Sequence, residues 1–315
     1  MLKKSIMPNK RIVSFPRMGK QYTELFKDML EEFGLRVIVP PYNSEKTIKF
    51  GVKHSSDMIC YPFKTTLGNF KEVLDAGANT LLMWDSRGRC RFRHYWIIQE
   101  FILKNLGYKF EMQPITLNFL STLRTLNPSL SYFKIIGILR KYWKKLKKID
   151  EQQFSKDKLN IGITGEVYSV LEESVNYDIK HKLKKLGVNP YLTITLSGFI
   201  KESIEGALKL NIHKRKYKEQ ARKYLNGPIG GHGFENIYNT LWLIENKIDG
   251  IIHLLPLTCM SETTVESIID NICNKNNIPL LRLPIDETNS EANVITRLET
   301  FIELVKRKNE RILGN

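Results

Sequence analysis

The sequence predicts an α/β protein: two Rossmann-like domains with parallel sheets, joined by a helical segment, with a site in the interdomain cleft. Three observations predict it. Short apolar runs alternate with amphipathic stretches of helical length, which is the rhythm of βαβ units. Glycines such as Gly34, Gly77, Gly107 and Gly187 follow those stretches, where helix C-termini favour them. The chain has 315 residues, 42% of them hydrophobic, enough for two domains that each bury a core.

The elements follow in order. Arg11–Phe15 reads as a strand, Tyr22–Phe33 as a helix stopped by Gly34, and Arg36–Val39 as a second strand ended by Pro40 and Pro41. Thr65–Ala76 reads as a helix, Thr80–Met83 as a strand and Arg93–Leu106 as a helix. This first α/β domain spans residues 8–115. Residues 116–157 break the rhythm and form a helical connection, increasingly basic towards Lys148. The spacing of Phe133, Ile136, Leu139 and Trp143 predicts its buried face. The second α/β domain, residues 158–315, restarts at Leu159–Gly165. It continues with a helix near Ser174–Leu186, a strand at Tyr191–Thr195, a long helical region, and a glycine-rich break at Gly227–Gly233. Helix Glu235–Asn246, strand Gly250–Leu255, helix Glu262–Asn274, strand Pro279–Leu283 and helix Glu291–Lys308 complete it.

Lysine and arginine number 49 against 33 acidic residues, a net charge of +16. The surplus suits an anionic partner (an acidic redox protein, a coenzyme A ester, nucleic acid) or, equally simply, a solvated basic face. No zinc-finger or RNP-type signature accompanies it, which disfavours nucleic acid. No run of about 18 apolar residues occurs, so no membrane span is expected. Met1–Met7 carries charge without a following apolar core, so no secretory signal and a cytoplasmic location are expected. In that reducing compartment the four cysteines are expected to be metal ligands or plain thiols, not disulfides.

Cys60, Cys90 and Cys259 each sit between a strand and a helix start. Ligands of open α/β sheets bind at the carboxyl ends of strands, and a helix N-terminus favours a thiolate. Two such loops in one domain and one in the other predict a metal or iron–sulfur site in the cleft with one position open. Soft thiolates suit iron–sulfur, zinc or copper(I); there is no CxxC pair. Cys273 lies within a helix and reads as a buried hydrophobe. Ser261 is a candidate N-cap. Lys64 and Arg91 flank two of the cysteines and are either counter-charges for a cluster or surface cations. His232 lies in the glycine-rich loop, which either approaches an anion through its amides or simply enters a helix. Asp286 and Glu287 are site carboxylates or caps for the last helix. No P-loop, dinucleotide fingerprint, HExxH or serine triad is present.

Longer blocks carry a resemblance. They are Cys60-Tyr61-Pro62-Phe63-Lys64 with Thr66–Phe70, Cys90-Arg91-Phe92 with Tyr95, and Gly165-Glu166-Val167-Tyr168 with Asn176. Two more are Asp249–His253 leading to Cys259-Met260 and Glu262, and Asp286-Glu287 with Glu291-Ala292. From about Lys10 to Phe301 the chain resembles the iron–sulfur subunits related to 2-hydroxyacyl-CoA dehydratases, the group called acyl-CoA dehydratase activase-related or CoA protein activase. The resemblance implies an iron–sulfur cluster, [4Fe-4S] or a double-cubane assembly, on Cys60, Cys90 and Cys259. Lys64, Arg91, His232, Glu262 and Glu287 would line or support it. It implies low-potential electrons fed by a separate ATP-hydrolysing activator, an acyl-CoA or other small reducible substrate, and a homo- or heterodimer. Arg89, Arg93, His94, Ser261 and Asn293 depart from the family pattern. The alternative is a non-catalytic basic module or scaffold that docks a redox partner, coenzyme A or nucleic acid.

Overall fold

The apolar runs pair into two parallel sheets. The computed structural model describes residues 11–85, 90–116, 119–208 and 214–313; Gly88, Arg89 and the segment Met1–Met7 fall outside these. The N-terminal half runs β1 (Ile12–Ser14), α1 (Lys20–Glu32), β2 (Arg36–Val37), α2 (Glu45–Lys53), α3 (Tyr61–Asp75) and β3 (Thr80–Trp84). A 3₁₀ turn (Arg91–His94) then enters α4 (Tyr95–Asn105), and β4 (Glu111–Ile115) closes the sheet. Helices α5 (Phe119–Leu126) and α6 (Tyr132–Ile149) follow. The C-terminal half runs β5 (Asn160–Gly165), α7 (Val167–Leu171), α8 (Ile179–Lys185), β6 (Asn189–Leu192), α9 (Leu196–Ala207) and α10 (Arg215–Ala221). It ends with α11 (Gly233–Glu245), β7 (Gly250–Pro256), α12 (Met260–Lys275), β8 (Leu280–Ile285) and α13 (Glu291–Leu313).

The sheet orders are β2-β1-β3-β4 and β6-β5-β7-β8, all parallel. The two halves therefore share one topology, as the repeated rhythm suggested. Both faces of each sheet are covered. Leu81 and Met83 face a core with Phe63, Phe70 and Tyr95; Leu82 faces the opposite core with Val13, Phe33 and Leu123. In the second sheet Ile252 and Leu254 pack under α13 through Leu298 and Phe301. Ile251 packs beneath α11 and α12 with Ile237, Val265 and Ile269. Strands covered on both sides read as continuous apolar runs, which is why these were legible.

The helical connection carries a register different from the expected one. Its buried residues are Ile135, Ile138, Tyr142 and Leu146, whereas Phe133 is 90% exposed and Ile136 39%. The helix is apolar over more than one face, so spacing alone admits two stripes. The stripe at 135/138/142 wins because it meets Met29, Leu30 and Leu123. Leu146, one turn on, packs in the C-terminal core, so α6 ties the halves together.

Other boundaries shift. Helix α3 begins at Tyr61, four residues before the expected Thr65. The helix expected at Ser174–Leu186 begins only at Ile179. Before it, Glu172 accepts Ser174 N and Asn176 Nδ2 bonds the Ser169 and Val170 carbonyls, which holds a turn. Tyr177 and Asp178 in that turn have positive φ.

Candidate metal centre

The three predicted cysteines are all helix N-caps. Cys60 caps α3, Cys90 caps the 3₁₀ turn and Cys259 caps α12, each with extended backbone. Ser261, the expected cap of that last helix, is instead its second residue. This position puts each cysteine at the helix end that favours negative charge.

Sequence-distant segments bring the sulfurs together. Cys60, Cys90 and Cys259 line one pocket, with Arg91, the 229–231 loop and Ser261 around them. Cys259 packs in the same apolar cluster as Cys60, Phe63 and Tyr95, although it comes from the other half of the chain. A Cβ added to Gly231 would lie 3.7 Å from Cys90 Sγ and 2.4 Å from Ser261 Oγ. Ser261 Oγ in turn lies 3.5 Å from Cys259 Sγ. Cys60 Sγ bonds the hydroxyl of Tyr95, whose fully buried ring stands edge-on to Phe63 at 5.0 Å.

The topology explains the convergence. In each sheet the strand order reverses between its first and third strands (β1 and β3, β5 and β7), and ligands bind beyond the carboxyl ends at such points. Cys90 follows β3 and Cys259 follows β7, equivalent places in the two halves. Glu166 follows β5 and caps α7, its carboxylate accepting Tyr168 N and Ser169 N at 3.0 and 2.9 Å.

Burial governs the charges. Desolvation pushes the Cys60 thiol up to about 12, although the Tyr95 hydroxyl opposes the rise. Desolvation likewise raises Cys90, with the Phe92 amide opposing, and Cys259, with Glu262 and Glu166 adding to the rise. Glu166 is itself pushed up to about 7, chiefly by burial. The three thiols therefore keep their protons at neutral pH. A raised thiol favours the fold below the ordinary thiol value and loses that contribution as pH climbs from 9 towards 12. Metal loading runs the other way, because each thiolate ligand gives up a proton. Cluster retention against a chelator is expected to strengthen as pH rises from about 6 to about 8. The gain is up to ~tenfold per pH unit for each proton released. Iron content at several pH values, corrected for the chelator's own protonation, checks this; retention independent of pH would overturn it.

The supporting residues divide. Arg91 lines the pocket and its guanidinium bonds the Met58 carbonyl. His232 is the N-cap of α11, next to the pocket loop, with its ring 5.5 Å from Phe199. Glu262 is fully buried behind Cys259, its Oε2 held by Asn236 Nδ2 at 2.7 Å and His253 Nε2 at 2.8 Å. Lys64 is neither in the pocket lining nor a surface cation: it is 2% exposed and pairs with Glu287 at 2.7 Å across the two halves. Asp286 turns the loop after β8 by accepting Thr288 N and Asn289 N. Ser290, not the acidic pair, accepts an amide (Asn293 N, 3.3 Å) at the start of the last helix. Cys273 lies in the core between α11, α12 and the second sheet, away from the other sulfurs. Tyr95, Glu166 and Ser261 gained no site role from spacing. Only their adjacency to cysteine-bearing or strand-end blocks hinted at one.

Among the described residues no three His, Cys, Asp or Glu meet closely enough to hold a single metal ion. The thiols share a pocket without sharing a point. Among the described residues no helix is long and apolar enough to cross a membrane. No family model matches the chain, and no curated protein matches it. Among solved structures it is similar to glutamate racemase isoform RacE1 from Bacillus anthracis. The identity is 13%, over 96% of this chain and 83% of that one, with a TM-score of 0.21. A likeness that low bears on neither fold nor function.

Proposed function

We propose that the chain is an iron–sulfur protein of the kind its sequence resembles, with a cubane-type cluster on Cys60, Cys90 and Cys259. The observation that carries this is the single pocket lined by all three thiols, drawn from helix N-termini in both halves. The donor set fits such a group. Among the described residues three soft sulfurs and no histidine line the pocket. Each cubane-bound thiolate sits on its own iron, so the ligands need not converge as they would on one ion.

A bound cluster supplies one-electron chemistry at low potential, with one iron open to a small ligand. The chain's own residues do the rest. Phe63, Tyr95 and the surrounding apolar side chains keep water from Cys60. The Tyr95 hydroxyl fixes that sulfur. Arg91 brings positive charge to the pocket lining, where it would offset the charge of thiolate ligands. Electrons would come from a separate ATP-hydrolysing activator in the cytoplasm and go to an acyl-CoA thioester, another small reducible substrate or a partner subunit of a homo- or heterodimer.

Anaerobic reconstitution with iron and sulfide tests this. The expected product is brown, absorbs broadly near roughly 400 nm, and carries about four irons per chain, as cysteine-ligated cubanes do. Its reduced EPR signal should change on addition of an acyl-CoA. A colourless, iron-free chain would sink the proposal and leave a basic binding module.

A further inference from the structure

Resting on the cluster reading, we propose that the Ser261 hydroxyl donates a hydrogen bond to the Cys259 sulfur, making Ser261 a positioning residue that raises the reduction potential of the bound centre. Ser261 is the second residue of α12, is buried, and lines the thiol pocket. Its Oγ lies 3.5 Å from Cys259 Sγ and 3.3 Å from Glu262 Oε1. Two ligands on different irons of a cubane stand farther apart than 3.5 Å, so the hydroxyl is placed to touch the sulfur and not to replace it.

The layer behind fixes the hydroxyl. Glu262 Oε2 is occupied by Asn236 Nδ2 and His253 Nε2. Asn236 is itself tied to Thr164 Oγ1 at 2.7 Å and the Gly165 carbonyl at 3.0 Å. The carboxylate is therefore immobile, and its free edge faces Ser261. The hydroxyl has one proton and two acceptors within reach. A protonated Cys259 thiol accepts weakly, which leaves the proton to Glu262. A metal-bound thiolate has no proton and accepts well, so a turn of the hydroxyl about the Ser261 Cβ–Oγ bond would deliver the proton to sulfur with Oγ where it stands. Gly231 leaves room for Oγ in that place. Its φ of +59° suits glycine, and a Cβ there would overlap Ser261 Oγ at 2.4 Å.

A hydrogen bond to a ligand sulfur stabilises the reduced, more negative state more than the oxidised one, and so raises the potential. Redox titration of the anaerobically reconstituted full chain, followed by EPR, is the test. Ser261→Ala should keep the full iron content and shift to a more negative potential. The expected size is about tenfold in the reduced-to-oxidised ratio at fixed applied potential, equivalent to ~59 mV for one electron. Ser261→Thr retains the hydroxyl and should titrate close to the wild-type protein. An unchanged potential in Ser261→Ala with iron intact overturns the role while the cluster reading stands. Loss of iron in Ser261→Ala also overturns it, since that makes Ser261 a ligand or a packing element. So does a Ser261→Thr potential displaced as far as that of an alanine variant. A wild-type chain that takes up no iron removes the cluster reading itself.

Discussion

Alanine at Cys60, Cys90 or Cys259, introduced singly, is expected to strip the centre of iron, from about four per chain to fewer than one. Cys273→Ala should keep the full complement. Each thiolate of a three-cysteine cubane holds a separate iron, so losing one opens a second iron to solvent and to chelators. The spacing of the sulfurs in the chain gives no such grouping: 30 residues separate Cys60 from Cys90, and 169 separate Cys90 from Cys259. The grouping comes from the fold, which caps three helices with them around one pocket. Cys273 is the internal control. It is wholly buried, whereas Cys90 is only partly so, and its thiol is pushed up to about 12 by desolvation, yet its neighbours are Ile269, Ile272 and Val265. Equal iron loss from Cys273→Ala would overturn the ligand assignment. Iron analysis and visible absorption of the four variants, each with thermal unfolding of the metal-free chain, separate lost ligation from lost folding.

Most strands and the cysteine loops were legible for one physical reason; β4, half-buried and carrying Glu111, Gln113 and Pro114, was not read. Strands buried on both faces, such as Gly250–Pro256, have no polar alternation to confuse them, and the loop that follows inherits its position from the strand. The rest depends on what packs across space. Helix α2 escaped notice because Gly51 sits inside it; that glycine is there because a Cβ would lie 1.9 Å from the Lys64 carbonyl of α3. Phe133 passed as a core residue because its spacing is right, and only the position of α1 decides which stripe of α6 is covered. The cap at Cys259 was assigned to Ser261 because serine is the better N-cap by type. The site's second layer (Glu262 with His253 and Asn236) lies on three elements, and no local pattern joins them. Lys64 and Glu287 each sit near a strand or helix end and invited a role at the site. Their partner turned out to be each other.

Removing the Arg17 guanidinium is expected to be the most destabilising single change outside the apolar cores. Arg17 leaves the end of β1 and is 5% exposed; Glu172, just after α7 in the other half, is wholly buried. Their charged groups approach to 3.4 Å. Glu172 also accepts the Gly19 amide and bonds Ser174, while the Arg17 guanidinium lies 3.5 Å from the centre of the Tyr42 ring and bonds the Pro40 carbonyl at 3.3 Å. Breaking a buried ion pair from one side strands the other charge and costs about 3–5 kcal/mol. Arg17→Met should therefore destabilise the metal-free chain by ~3 kcal/mol in denaturant unfolding. Adding Glu172→Gln, which removes the stranded charge but keeps an acceptor for Gly19 N, should return about half of that. The consequence reaches the metal centre. Cys60 and Cys90 belong to the half that carries Arg17, and Cys259 to the half that carries Glu172, so loosening this contact lets the ligands drift apart. Arg17→Met should lose its cluster to a chelator faster than the wild-type chain, and the double variant should fall between them. A loss of stability below about 1 kcal/mol, the range of exposed ion pairs, with cluster retention unchanged, would mean that this pair does not hold the two halves in register.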